Sequence, residues 1–75
     1  MRDFQIYIDD DRYSVPTLHI ATLASEARAL EIAERYMRES DHHLGVEVRE
    51  DDKVLFGLGS LAPIARHNRL EGDRA

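Results

Sequence analysis

Two clusters of acidic and imidazole side chains hold the residue types that are able to bind a metal. Asp9-Asp10-Asp11 offers the carboxylates of a calcium loop, and Asp41-His42-His43 combines a carboxylate with two imidazoles. The first cluster lacks the glycine and the terminal glutamate that calcium loops require, and adjacent histidines on a strand point to opposite faces. We therefore interpret the first cluster as a solvated turn and the second as a cap at the end of a helix. We expect no metal in either cluster.

Other arrangements that would support catalysis are incomplete. Ser14, His19 and Asp9 are the residue types of a Ser-His-Asp catalytic triad, but no nucleophile elbow or oxyanion loop accompanies them. The acidic run Glu50-Asp51-Asp52 should lie at the opposite end of the sheet, too far away to pool carboxylates with the first cluster. Gly57-Leu58-Gly59 follows a strand without completing a phosphate-binding motif. We predict a protein that is not an enzyme and has no cofactor.

Length and charge narrow the class of protein further. The chain has 75 residues, 15 Asp and Glu against 10 Lys and Arg, a net charge of −5 and no cysteine. One small domain fits this length, and the missing cysteines exclude disulfides and thiolate zinc sites. The acidic balance argues against binding nucleic acid through its phosphates. No apolar run approaches the ~20 residues of a membrane span, and the N-terminus lacks the layout of a signal peptide. We expect a cytoplasmic protein without nucleic-acid or membrane partners.

Hydrophobic patterning predicts the elements that position these residues. Period-two alternation predicts four strands, over residues 4–8, 13–22, 44–49 and 54–58. Helix-favouring residues predict one helix from Ala27 to about Glu39, with Thr22 or Ser25 as its N-cap. At ~100° per residue, Ile32 lies near the polar side of this helix, opposite an apolar side that carries Leu23, Leu30, Ala33 and Met37.

The order of elements predicts a two-layer α+β fold of ββαββ type. Short turns make each strand pair an antiparallel hairpin, and the helix packs on one face of a four-stranded, mainly antiparallel sheet. We prefer the strand order 2-1-3-4 over 1-2-3-4, because it places Pro16 in an edge strand, where proline is tolerated. Residues 1–59 form the single domain. Residues 60–75 form a partly flexible tail, in which Leu61 and Ile64 suit one short helical turn.

Alternation also assigns side chains to the two faces of the sheet. The face toward the helix should carry Phe4, Ile6, Ile8, Leu18, Ile20, Leu44, Val46, Val48, Val54 and Phe56. The outward face should carry Gln5, Tyr7, Thr17, His19, Glu47, Arg49 and Leu55. Apart from the tail, no second layer remains to cover this outward face.

Three segments share a pattern with known proteins: the strand Phe4-Gln5-Ile6-Tyr7-Ile8-Asp9, the Glu26-Ala27 opening of the helix, and Val46-Glu47-Val48 followed by a turn and Val54-Leu55-Phe56. Over roughly residues 4 to 58 the chain resembles small uncharacterised bacterial domains with an aromatic first strand and a closing hairpin. Those domains commonly carry a tryptophan and a glycine around the closing turn, where this chain has Arg49-Glu50-Asp51-Asp52. The resemblance implies no assigned activity and no catalytic residue.

The uncovered face gives the functional hypothesis. We expect an acidic interaction module that forms a homodimer through an interface containing Tyr7, His19, Leu55 and an exposed Ile32. The alternative is a small-molecule or metal-binding protein. In this topology the helix C-terminus and the first hairpin turn share one end of the sheet, so the alternative site would use Asp10, Asp11, His42 and His43.

Overall fold

The computed structural model describes residues 1–62 and confirms the predicted α+β architecture. Its elements are β1 (Arg2–Asp10), β2 (Thr17–Leu23), α1 (Glu26–Glu39), β3 (His43–Glu50) and β4 (Lys53–Gly59). The sheet has the preferred order β2-β1-β3-β4 with every pair antiparallel. The helical turn predicted around Ile64 lies outside the described residues, as does most of the predicted tail.

The second strand begins later than its sequence pattern predicts. Residues 13–15 form bends, and β2 starts at Thr17, directly after Pro16. Proline has no N–H to contribute to a strand ladder, and the Tyr13 N–H donates to the Asp10 carbonyl at 3.0 Å in a turn. The predicted start at Tyr13 is therefore wrong, while the edge position of the strand is confirmed.

Ser25 is the N-cap of α1. Its backbone is extended rather than helical, and its hydroxyl accepts a hydrogen bond from the Arg28 N–H at 3.3 Å. Glu26 lies in the first turn, where a carboxylate complements the positive end of the helix dipole. The helix ends at Glu39, and Ser40 returns to extended backbone as the C-cap.

The core lies between α1 and the two central strands. It comprises the buried side chains Phe4, Ile6, Ile8, Ala29, Ala33, Val46 and Val48. The buried side of the helix centres on Ala29 and Ala33, whose small side chains allow close approach to the sheet. Ile32 and Leu30 flank this side of the helix at similar angles; Ile32 packs against the core, whereas Leu30 is 39% exposed. The predicted exposure of Ile32 and burial of Leu30 are therefore wrong.

The faces of β2 are the reverse of those predicted. Tyr7 pairs with Leu18, and Ile6 pairs with His19. Directly paired residues share a face, so His19 lies on the helix side with buried Ile6. Leu18 and Ile20 lie on the outward side, where they are 48% and 62% exposed. The structure therefore corrects the predicted placement of these three residues.

Two bulges displace side chains that strict alternation would place elsewhere. Val48 pairs with Phe56 and Arg49 with Val54, so Leu55 is an extra residue in β4. Leu55 packs against the core, whereas Val54 is 46% exposed. The predicted outward position of Leu55 and the predicted burial of Val54 are therefore wrong.

The other bulge lies in β3. Asp9 pairs with Gly45 and Asp10 with His43, which leaves Leu44 between the two pairs. Leu44 is 43% exposed, so its predicted core position is wrong. The physical reason is the same as in β4: one extra residue breaks the period-two alternation that sequence patterning assumes.

A comparison of two isoleucines tests the assignment of faces. Ile6→Ala should lower the free energy of unfolding by about 2–5 kcal/mol, because Ile6 is fully buried in a central strand. Ile20→Ala, the same change on the outward face, should cost clearly less than Ile6→Ala, because Ile20 is 62% exposed. Chemical denaturation measures both values. Equal losses would contradict the register.

The β3–β4 turn generates a second prediction. Asp51 and Asp52 both have positive φ angles, 52° and 65°, as a two-residue type I′ hairpin requires. Asp52→Gly should raise the free energy of unfolding by about 0.5–1 kcal/mol, because glycine adopts this backbone without steric cost. Lys53→Gly, one residue later in β4, should lower it. Thermal and urea unfolding check both signs, and a loss of stability in Asp52→Gly would contradict the turn geometry.

Candidate functional site

The face of the sheet opposite α1 carries an exposed apolar patch. Strand pairing places the following side chains on this open face: Asp3, Gln5, Tyr7, Asp9, Leu18, Ile20, Thr22, Glu47, Arg49 and Val54. Tyr7 lies directly beside Leu18, and Ile20 follows on the same strand. We call Tyr7, Leu18 and Ile20 the apolar patch. Among residues 1–62, the segment after β4 crosses one corner of this face.

Arg49 and Glu47 form an ion pair beside the apolar patch. Arg49 donates from Nε to Glu47 Oε1 at 2.7 Å, and its guanidinium carbon lies 4.8 Å from the centre of the Tyr7 ring. The hydrogen bond to Glu47 raises the pKa of Arg49 above its ordinary value, so the guanidinium stays charged. Glu47 is only 7% exposed. The centre of the open face is therefore close to neutral, with an aromatic ring under a cation.

One acceptor on the open face lacks a donor. Gln5 lies between Ile20 and Arg49 in the cross-strand pairing, and its Oε1 atom is buried with no hydrogen-bond partner among the described residues. A buried acceptor without a partner costs about 1–3 kcal/mol. A group that covers this face gains by supplying the donor.

The chain leaves β4 across one corner of the open face. Gly59 has a φ of 59°, and the Ser60 hydroxyl then donates to Asp9 Oδ2 at 2.6 Å. A Cβ atom on Gly45 would collide with Ser60 Oγ and lie 2.7 Å from Leu61 N. Glycine at position 45 thus makes room for the segment that crosses above it. Leu61 and Ala62 are half-buried there.

A buried carboxylate binds the loop at the end of the sheet that carries Asp9, Asp10 and Asp11. Asp10 is 3% exposed, and Arg12 donates to it from the backbone N–H at 2.9 Å, from Nε at 2.9 Å and from the terminal guanidinium nitrogen at 2.6 Å. The Arg12 side chain holds the pKa of this carboxyl well below its usual range. The predicted solvated turn is wrong for Asp10, which belongs to β1.

The predicted approach of the histidines to the aspartates is confirmed in two separate pairs. His42 Nδ1 lies 2.7 Å from Asp11 Oδ1, and His43 Nε2 lies 3.6 Å from Asp10 Oδ2. His43 Nδ1 is 2.7 Å from the Tyr36 carbonyl, as a donor to the last turn of α1. The predicted cap is thereby confirmed for His43.

These pairs do not converge on one point. Both oxygens of Asp10 already accept from Arg12, and Nδ1 of His43 is bound to the helix. In the part of the chain that the structure describes, no three His, Asp or Glu side chains are grouped to hold a metal. The contacts instead tie the first hairpin to the helix end.

The four residues predicted at an interface do not share one surface. Tyr7 lies on the open face as predicted. His19 stacks on Tyr36 of α1 with ring centres 5.1 Å apart, while Leu55 and Ile32 pack against the core. His19 and Asp9 lie on opposite faces of the sheet, so these side chains do not form a Ser-His-Asp triad.

The patch residues that sequence reasoning missed carried only an ambiguous signal. In β2, Leu18 and Ile20 alternate in one phase, whereas Ala21 and Leu23 alternate with His19 in the other. Both phases contain apolar residues, so alternation alone does not choose between them.

A groove lies along α1. It is lined by Arg28, Glu31, Ile32, Glu34, Arg35 and Arg38. Arg28 pairs with Glu31 within the helix, and both side chains are exposed. The groove is therefore part of a solvated helix surface that carries charges of both signs.

Comparison with family models, with curated proteins and with solved structures finds no match to this chain. The resemblance to small bacterial domains therefore stays a prediction. Within residues 1–62, α1 is too short and too polar to cross a membrane.

The buried Asp10 carboxylate predicts a specific dependence of stability on pH. Its folded-state pKa lies below the unfolded value of about 4, so it stabilises the fold above that pH and ceases to do so as pH falls. Asp10→Asn keeps an acceptor for the Arg12 N–H but removes the charge. The variant should be less stable at neutral pH and should lose less stability than the wild type between about pH 5 and pH 3.

Urea unfolding at several pH values measures this difference. Asp41→Asn, which removes one charge at an exposed position nearby, serves as the matched control for the change in net charge. Part of the slope remains in every variant, because Arg2 lowers the pKa of Glu50. Identical slopes for Asp10→Asn and the wild type would contradict the assignment.

Proposed function

We propose that this protein is a non-catalytic interaction module that forms a homodimer through the open face of its sheet. The observation that carries the proposal is the exposure of Leu18 and Ile20, 48% and 62%, beside Tyr7 on that face. The exposed face of an antiparallel sheet is ordinarily polar. An aliphatic pair beside an aromatic ring is typical of an interface. The cytoplasmic location stays a prediction.

A second copy of the chain suits this face chemically. Two sheets pack face to face when their apolar side chains interdigitate, and a two-fold axis presents the same patch on both partners. Glu47 and Arg49 neutralise each other within each copy, so the contact brings no uncompensated charge into its centre. Tyr7 is the aromatic anchor, and Thr22 and Asp3 supply a polar rim.

The size of the face limits the strength of the dimer. Four strands about 4.8 Å apart and about seven residues long give a footprint of roughly 20 by 25 Å. That is about 500 Å², below the ~800 Å² per partner of a standard interface. The net charge of −5 on each chain adds repulsion that salt screens. We therefore expect weak and reversible association.

Sedimentation of matched charge variants tests the proposal. Ile20→Glu should weaken dimerisation about tenfold or more, because two-fold symmetry places the new carboxylate in the interface twice. Tyr7→Glu should act in the same direction. Leu30→Glu, an equally charged change at a 39% exposed leucine on α1, should leave dimerisation unchanged.

Circular dichroism of each variant checks that the monomer remains folded. A wild type that stays monomeric at all accessible concentrations contradicts the dimer. Equal weakening by Leu30→Glu would place the interface elsewhere.

A further inference from the structure

The course of the chain after β4 points to an occupant of the open face within the same molecule. Gly59 turns the backbone with a positive φ, and the Ser60 N–H donates to the Leu44 carbonyl at 2.9 Å. The Ser60 hydroxyl binds Asp9, an open-face residue, and Leu61 passes over Gly45. Ser60 and the backbone of Leu61 therefore lie above the open face, at the corner formed by the end of β1 and the start of β3.

The remaining sequence is long enough to reach the apolar patch. Thirteen residues, 63–75, follow Ala62. At about 3.3 Å per extended residue they span up to ~40 Å. Tyr7 lies two residues from Asp9 along β1, or about 7 Å, and Leu18 lies one strand further, about 5 Å away. Four or five extended residues cover that distance.

The composition of residues 63–75 matches the face. The segment contains Ile64 and Leu70, which are apolar, and three arginines against Glu71 and Asp73, so its net charge is +1. Since the whole chain has a net charge of −5, residues 1–62 have a net charge of −6. A segment with apolar side chains and an excess of arginine complements a face that combines an apolar patch with acidic side chains.

We propose that residues 63–75 bind the open face of their own chain, cover the apolar patch, and compete there with a second copy. The competition, though not the contact itself, rests on the proposed dimerisation. A short tether gives the segment an effective concentration in the millimolar range, so it occupies the face in dilute solution. Dimerisation then requires a high protein concentration or displacement of the segment.

A spin label tests the contact in the full chain. The sequence has no cysteine, so Asn68→Cys accepts a single nitroxide without further changes. At a concentration where the chain sediments as a monomer, the label should broaden the methyl signals of Leu18 and Ile20 far more than those of Leu30 on the helix side. Adding Ile64→Asp to the labelled chain should weaken that broadening. Equal broadening at all three residues, or none at the patch, overturns the contact.

Sedimentation of full-length variants tests the competition. Ile64→Asp and Leu70→Asp should each strengthen dimerisation about tenfold, because the segment no longer holds the face. Ala75→Asp adds the same charge at the chain end and should have little effect. Patch broadening without dimerisation in any variant supports the contact and refutes the dimer. Dimerisation without patch broadening refutes this inference and leaves the dimer standing.

Discussion

The pairing register between β1 and β2 is the constraint on which the two faces of this sheet depend. Because side chains alternate with a period of two, a shift of one residue would exchange every side chain of β2 between the faces. The observed register places His19 beneath Tyr36 and leaves Leu18 and Ile20 outside. Burial alone does not enforce it, because β2 is an edge strand with apolar residues in both phases. The hairpin loop supplies the missing specification through hydrogen bonds to Asp10.

The width of the helix explains why the edge strands are only partly covered. One helix is about 10 Å across, whereas four strands span roughly 15–20 Å. Ala29 and Ala33 bring α1 close to the central strands, and the buried core is confined to that contact. The apolar residues of β4 on the helix side, Phe56 and Leu58, are only half-buried. So small a core leaves the domain modestly stable, and covering the open face would add to its stability.

The sequence was sufficient for the parts of the fold that follow regular patterns. Alternation in β1 and the position of Pro16 predict the central strand and the strand order, and both are confirmed. The bulges at Leu44 and Leu55 were not predictable, since an extra residue leaves composition unchanged while reversing the alternation beyond it. Of the three residues of the apolar patch, the sequence predicts only Tyr7 on the open face and in an interface. In the sequence, Asp10 does not differ from an ordinary aspartate in a turn, and only the structure shows its ion pair with Arg12.

The last two residues of β1 connect the features that define the open face. Asp10 faces the helix side and binds Arg12, which fixes the loop and with it the register of β2. Asp9 faces outward and binds Ser60, which directs the chain leaving β4 over the open face. Adjacent carboxylates therefore anchor both the loop before the strand that exposes the apolar patch and the chain that leaves β4. Both the position of the first hairpin loop and the course of residues 59–62 therefore depend on contacts at this one end of β1.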